Sequence, residues 1–173
     1  MHYLQYVILA VFLAVALFYD ARESRIPNYL AVAGLAAGLV FNLTAQGMAG
    51  LLFALKGFAV AFIIMLLVYW LGGVGAGDVK LYGAIGAIMG TIFAISSLLY
   101  ATVCAAIIGI FLVAVKGELL SRLKKLWFSF LCMISFGKVK YIQDLKTADS
   151  FRFPFMYAVI PGTVIAYFYP ILF

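Results

Sequence analysis

Long stretches of almost uninterrupted apolar residues, parted by brief clusters of charge, glycine and proline, restrict this chain more than any other feature. They cover residues 3–19, 29–45, about 51–71, 79–115 and 155–172. A helix needs about 20 residues to cross the hydrocarbon of a bilayer, so most of these runs match a single crossing. Hydrophobic residues make up 68% of the 173 positions and charged residues only 10%. A soluble domain is nearer half apolar. One core cannot hide that much apolar surface, and lipid must cover the remainder. The chain is expected to be all-α, a polytopic membrane protein.

The run 79–115 is too long for one helix. Thr91 and the Ser96-Ser97 pair offer the most polar place for a turn, which gives a fourth helix near 79–93 and a fifth near 96–115. With 155–172 as the last, the expectation is six transmembrane helices. The N-terminal run lacks a basic leading region and a small-residue cleavage site, so it is expected to be a retained helix rather than a secretory signal. Cys104 and Cys132 form no CxxC pair, and neither a disulfide framework nor a zinc site is indicated.

Positive charge orients the helices. Arg22 and Arg25 follow the first helix, Lys80 follows the third, and Lys116, Arg122, Lys124, Lys125, Lys138, Lys140, Lys146 and Arg152 follow the fifth. Only Lys56 falls near the opposite face, where its long stem can reach the interface. Lys and Arg concentrate in cytoplasmic loops, which puts loops 1, 3 and 5 in the cytoplasm and both termini outside. The net charge of +6 is accounted for by this pattern, and nucleic-acid binding is a poor explanation for it. In the basic segment, about 117–153, Leu119, Leu123, Leu126, Phe130 and Ile134 recur at helical spacing with Arg122, Lys124 and Lys125 between them. That pattern describes a cytoplasmic amphipathic segment on the membrane between helices 5 and 6, where anionic lipid headgroups attract the lysines.

Two acids stand out. Asp20 ends helix 1 in FYDARESRIPN, and Asp78 begins helix 4 in LGGVGAGDVKLYG. Taken alone, Asp20 is a boundary residue and Asp78 an N-cap beside a glycine-rich turn. Yet an even number of crossings separates them, which places both on the cytoplasmic face at similar depth. Two neighbouring carboxylates share a proton, one serving as base toward a water while the other polarises a carbonyl. Peptide hydrolysis by such a pair requires no metal and no cofactor. Three readings follow from the residues: a peptidase, a small cation- or proton-coupled carrier using the same carboxylates, and a non-catalytic assembly factor. Against the carrier, both acids sit at one face, whereas transporter sites usually lie near the midplane between repeats.

Asp20 followed by Arg25-Ile26-Pro27-Asn28, together with Gly75-Ala76-Gly77-Asp78, resembles the type IV prepilin peptidases, six-helix intramembrane aspartyl proteases. Presenilin and signal peptide peptidase share the GxGD element, but the IPN element and the short chain favour the prepilin group. The resemblance implies that Asp20 and Asp78 are catalytic. It implies roles in binding substrate or shaping the loops for Gly75, Gly77, Arg25, Pro27, Asn28 and Lys80. The implied reaction removes a short basic leader from prepilin-like proteins just before their hydrophobic helix, within a single peptidase domain spanning 1–173 in a prokaryotic inner membrane. Longer members carry paired CxxC motifs in an N-terminal extension and methylate the new N-terminus. This chain is expected to be of the short kind and to bind no methyl donor. Pro154 and Pro161 mark the last helix, the second expected to kink it, and Gly34, Gly38, Gly86 and Gly90 have the small-xxx-small spacing of close helix packing.

Overall fold

The computed structural model describes residues 2–23, 26–115 and 155–169, all but a few of them helical. Two compact units are distinguished, Met1–Ala105 with Pro154–Phe173, and Ala106–Phe153. Five helices occur among the described residues: α1 His2–Glu23, α2 Asn28–Trp70, α3 Ala76–Met89, α4 Thr91–Val115 and α5 Met156–Phe168. Three of them contain spans long and apolar enough to cross a membrane, Tyr3–Arg22, Asn28–Trp70 and Thr91–Leu112. The protein is an integral membrane protein, and helix is the only regular structure among its described residues. The basic segment expected to be amphipathic lies outside the described residues. In the second unit, residues 106–115 continue α4 and expose Ile107, Ile110, Phe111 and Val115.

Helix boundaries differ from the sequence expectation in three places. The two helices expected at 29–45 and 51–71 form one helical run, α2, broken at a single residue, Gly47 (φ 62, ψ −142). The chain reverses there. Asn28, Gly38 and Asn42 meet Lys80, Ala87 and Ile88 in ascending order, whereas Phe53 and Gly57 meet Gly90 and Gly86 in descending order. Only a residue without Cβ takes that left-handed φ cheaply, so one glycine replaces a whole loop. The next break falls at Gly90 (φ 85, ψ 176), directly before Thr91 and ahead of the expected 93–96, so Ser96 and Ser97 take no part in it. Both serines are buried inside α4, and a polar residue turned into the bundle does not end a helix. The last helix is the 13-residue α5, and Pro161 sits inside it without ending it.

The burial pattern is that of a protein dissolved in lipid. Val7, Val11, Val15 and Phe18 of α1, and Ile63 and Leu67 of α2, face outward, while Ala16, Ala54, Ala61, Ala94, Ala101, Ala158 and Ala166 are buried. Lipid tails are as apolar as leucine, so large aliphatics gain little by turning inward, and small residues let backbones approach. At the centre stands α3, buried at every position from Val79 to Ile88 except Lys80. It packs chiefly on α2, where Gly57 and Gly86 lie backbone to backbone and a Cβ on either would strike the other's carbonyl. Antiparallel pairs complete the first unit. Phe12 of α1 covers Gly34, the Tyr6 and Tyr167 rings meet edge to face at 4.7 Å, and Gly162 of α5 rests on the backbone of Ala101.

These contacts gather Asp20, Asn28, Asp78 and Met156 at one end of the bundle and Gln5, Asn42, Ile88 and Tyr167 at the other. Gly86→Ala is expected to lower the thermal unfolding midpoint in detergent by several degrees, since overpacking typically costs about 1–3 kcal/mol. An unchanged midpoint would contradict the backbone contact with Gly57.

Candidate active site

Asp20 lies one turn from the end of α1 and is 6% exposed. It shares a helical face with the buried Leu9, Leu13 and Ala16, spaced 11, 7 and 4 residues before it, and that face turns it into the bundle. One carboxylate oxygen, Oδ2, accepts the backbone N–H of Met156 at 3.1 Å. Met156 is the first residue of α5, so the contact satisfies an orphan amide and puts the carboxylate at the positive end of a helix dipole.

Asp78 occupies the first turn of α3. It is not the N-cap as the sequence suggests, for Gly75 holds that place with an extended backbone (φ −83, ψ 158). Asp78 is the third helical residue, and its Oδ2 accepts the Gly75 N–H at 3.0 Å while its own N–H donates to the Gly75 carbonyl at 3.1 Å. This is one half of a capping box, with a main-chain carbonyl taking the place of the cap side chain that glycine lacks. A Cβ on Gly75 would stand 3.3 Å from that carboxylate oxygen, so the glycine keeps the approach to Asp78 open.

The two acids, 58 positions apart in sequence, lie within electrostatic reach of each other, and the charge of Asp20 acts on Asp78. Asp20 is the more enclosed, and Asp78 is half-buried. The arrangement offers two acceptor groups from different helices at one end of the bundle, each anchored through one oxygen by a main-chain amide.

The other sequence-predicted residues divide clearly. Pro27 caps α2 (φ −68, ψ 143), and its carbonyl accepts the Leu30 N–H at 3.1 Å. Asn28 begins α2 and accepts a 2.6 Å hydrogen bond from Lys80 Nζ through its Oδ1. Gly77 packs against Ile26, whose Cβ would lie 3.3 Å from a Cβ at position 77. The IPN element and the GAGD element are thus joined by a side-chain bond and a close backbone approach. Arg25 lies outside the described residues. Arg22 sits 6.0 Å over the Phe18 ring.

Sequence reasoning missed one partner of the site and one buried neighbour on the same helix. The Met156 amide carries no side-chain signature, and only its position at the start of a helix could have suggested it. Tyr82 stands one turn below Asp78, fully buried, its ring 6.4 Å from that of Phe155. Its spacing from Asp78 was visible, but its burial was not.

Comparison with protein families gives a match to the type IV leader peptidase family over residues 7–110. The chain belongs to that family. It is therefore a protease of the leader-peptidase kind, and both acidic motifs fall inside the matched residues whereas α5 lies beyond them. No curated protein and no solved structure shows significant similarity to the chain.

The join between the two motifs is directly testable. In a protein with Cys104 and Cys132 replaced by serine, the pair Ile26→Cys and Gly77→Cys is expected to form a disulfide on mild oxidation, seen as the loss of two hydrogens by mass spectrometry. The separation of 3.3 Å is close to the Cβ distance of about 3.5–4.5 Å that a disulfide requires. Persistence of two free thiols would contradict the contact.

Proposed function

We propose that the chain is an aspartyl endopeptidase that removes the short basic leader of prepilin-like proteins at the cytoplasmic face of a prokaryotic inner membrane, with Asp20 and Asp78 as the catalytic pair. The observation that carries this reading is the presence of two carboxylates, from α1 and α3, at the same end of a bundle whose family is that of the leader peptidases. The bond to be cut precedes an apolar helix that stays in lipid, and a site at the end of a membrane bundle meets such a bond. Arg22 and Lys80, which lie at that end, favour the cytoplasm.

The chemistry follows from a shared proton. The ionised carboxylate takes a proton from a water whose oxygen bonds to the scissile carbonyl carbon, while the protonated carboxyl donates to the carbonyl oxygen. Collapse of the tetrahedral intermediate breaks the C–N bond, and the proton taken from water passes to the departing amine. Gly75 leaves room for an extended substrate beside Asp78, and Gly77 shapes the loop by admitting Ile26 against the start of α3. Lys80, held by Asn28, fixes the loop before α2 against the start of α3, and Pro27 sets where that helix begins. Arg25 is assigned to the same loop. The scheme involves no metal, cofactor or methyl donor, and the domain extends over 1–173. Anionic headgroups are the partners assigned to the basic segment, and nucleic acid has no part in it.

Co-expression with a prepilin-like substrate tests this reading, with loss of the leader scored on a gel. Asp20→Asn and Asp78→Asn are each expected to lower processing by about 10²- to 10⁴-fold, the usual contribution of a positioned acid or base. Processing at the wild-type rate by either variant, in membranes that hold equal amounts of protein, would sink the assignment.

A further inference from the structure

At the end of the bundle away from the carboxylates lies a buried polar cluster that the proposed chemistry does not use. Asn42, fully buried on α2, donates through Nδ2 to the carbonyls of Gly38 at 2.9 Å, Ala87 at 3.1 Å and Ile88 at 3.3 Å. Its Oδ1 accepts a 3.0 Å hydrogen bond from Gln5 Nε2 of α1, which also reaches the Ile88 carbonyl at 3.5 Å. Three helices meet through one amide.

The need for this cluster follows from the length of α3. Its 14 residues span about 21 Å at 1.5 Å per residue, against about 30 Å of hydrocarbon. A helix that stops short leaves its last carbonyls without intrahelical donors. The Gly86 carbonyl is taken by the Gly90 N–H at 2.8 Å. Those of Ala87 and Ile88 lie among buried residues, where an unpaired carbonyl is costly. Asn42 supplies donors at one axial position of α3 only. Sliding α3 by a residue would withdraw those carbonyls from the amide and bring a Cβ-bearing residue of α3 against the Gly57 carbonyl, so the amide and the glycine contacts specify the same register.

We infer that Asn42, assisted by Gln5, is a positioning residue: it fixes the axial height of α3, and thereby the height at which Asp78 stands beside Asp20. The inference rests on the peptidase reading above for its catalytic consequence, though not for its geometry. Asn42 touches neither carboxylate and acts through α3 as a rigid rod.

The test uses Asn42→Leu, which keeps the branching at Cγ and removes the donors, in the full-length protein purified in detergent. Two quantities are read on the folded fraction isolated by size exclusion. The first is cleavage of a prepilin-like substrate, where kcat is expected to fall about tenfold to a hundredfold, the scale of a misplacement near 1 Å, with KM changed less than twofold. The second is disulfide formation by the Ile26→Cys and Gly77→Cys pair in a Cys104→Ser, Cys132→Ser background, whose rate is expected to fall at least fivefold when Asn42→Leu is added. A purely structural role lowers the yield of folded protein but leaves both quantities unchanged in what remains folded, and that result would overturn the inference. If Asn42→Leu does not fold, Gln5→Leu, at a half-buried site, carries the same test with smaller changes of the same sign. Wild-type kcat and cross-linking in Gln5→Leu would then overturn it. Should the wild type cleave no leader, the peptidase reading fails while the cross-linking rate still decides the positioning claim.

Discussion

A helix too short to cross the membrane, walled in by its own protein, is the constraint on which the rest of this structure depends. Both ends of α3 lie where hydrogen-bonding groups need partners, and each end is answered differently. At one end Gly75 and Asp78 exchange main-chain and side-chain bonds, and at the other Asn42 gathers carbonyls from α3 and from its own helix. The first solution leaves a carboxylate oxygen over for chemistry. The second fixes the rod from which that carboxylate projects.

The walls around α3 follow from the same constraint. A central helix can be enclosed by apolar neighbours only if they approach closely, and Gly38 against Ala87 and Ile88 before the reversal of α2, and Gly57 against Gly86 after it, let that helix do so. Large aliphatic residues are left for lipid. Asp20 enters this enclosure on α1 from the same end and is itself held by the first amide of α5, so the pair is assembled by elements from the beginning, middle and end of the sequence. Neither acid depends on the other for its anchor.

Much of this was legible in the sequence, and the misses have physical causes. Membrane class and helical content followed from apolar runs, because lipid demands them. That Asp20 and Asp78 share one end followed from counting crossings between them. The place of the turns did not. Polarity pointed to Ser96 and Ser97, but in a membrane bundle a serine can face inward, and the backbone freedom of Gly90 decided the break instead. Gly47 likewise reverses the chain in one residue where a short loop was expected. Asp78 was read as a cap because acids favour that position, yet Gly75 three residues earlier takes the extended conformation and moves Asp78 inside the helix. The Met156 amide and the Asn42 cluster were invisible because backbone donors and long-range partners leave no local pattern.

The central claim is that Asp20 and Asp78 act as one ionising unit. Infrared titration of the purified protein tests it most directly, since the chain holds only six acidic side chains and difference spectra against Asp20→Asn and Asp78→Asn isolate the two bands. Coupled sites lose their protons in steps that belong to the pair. The account predicts that replacing either aspartate alters the titration of the other. Two carboxyl bands that each titrate identically whether or not the partner is present would contradict it.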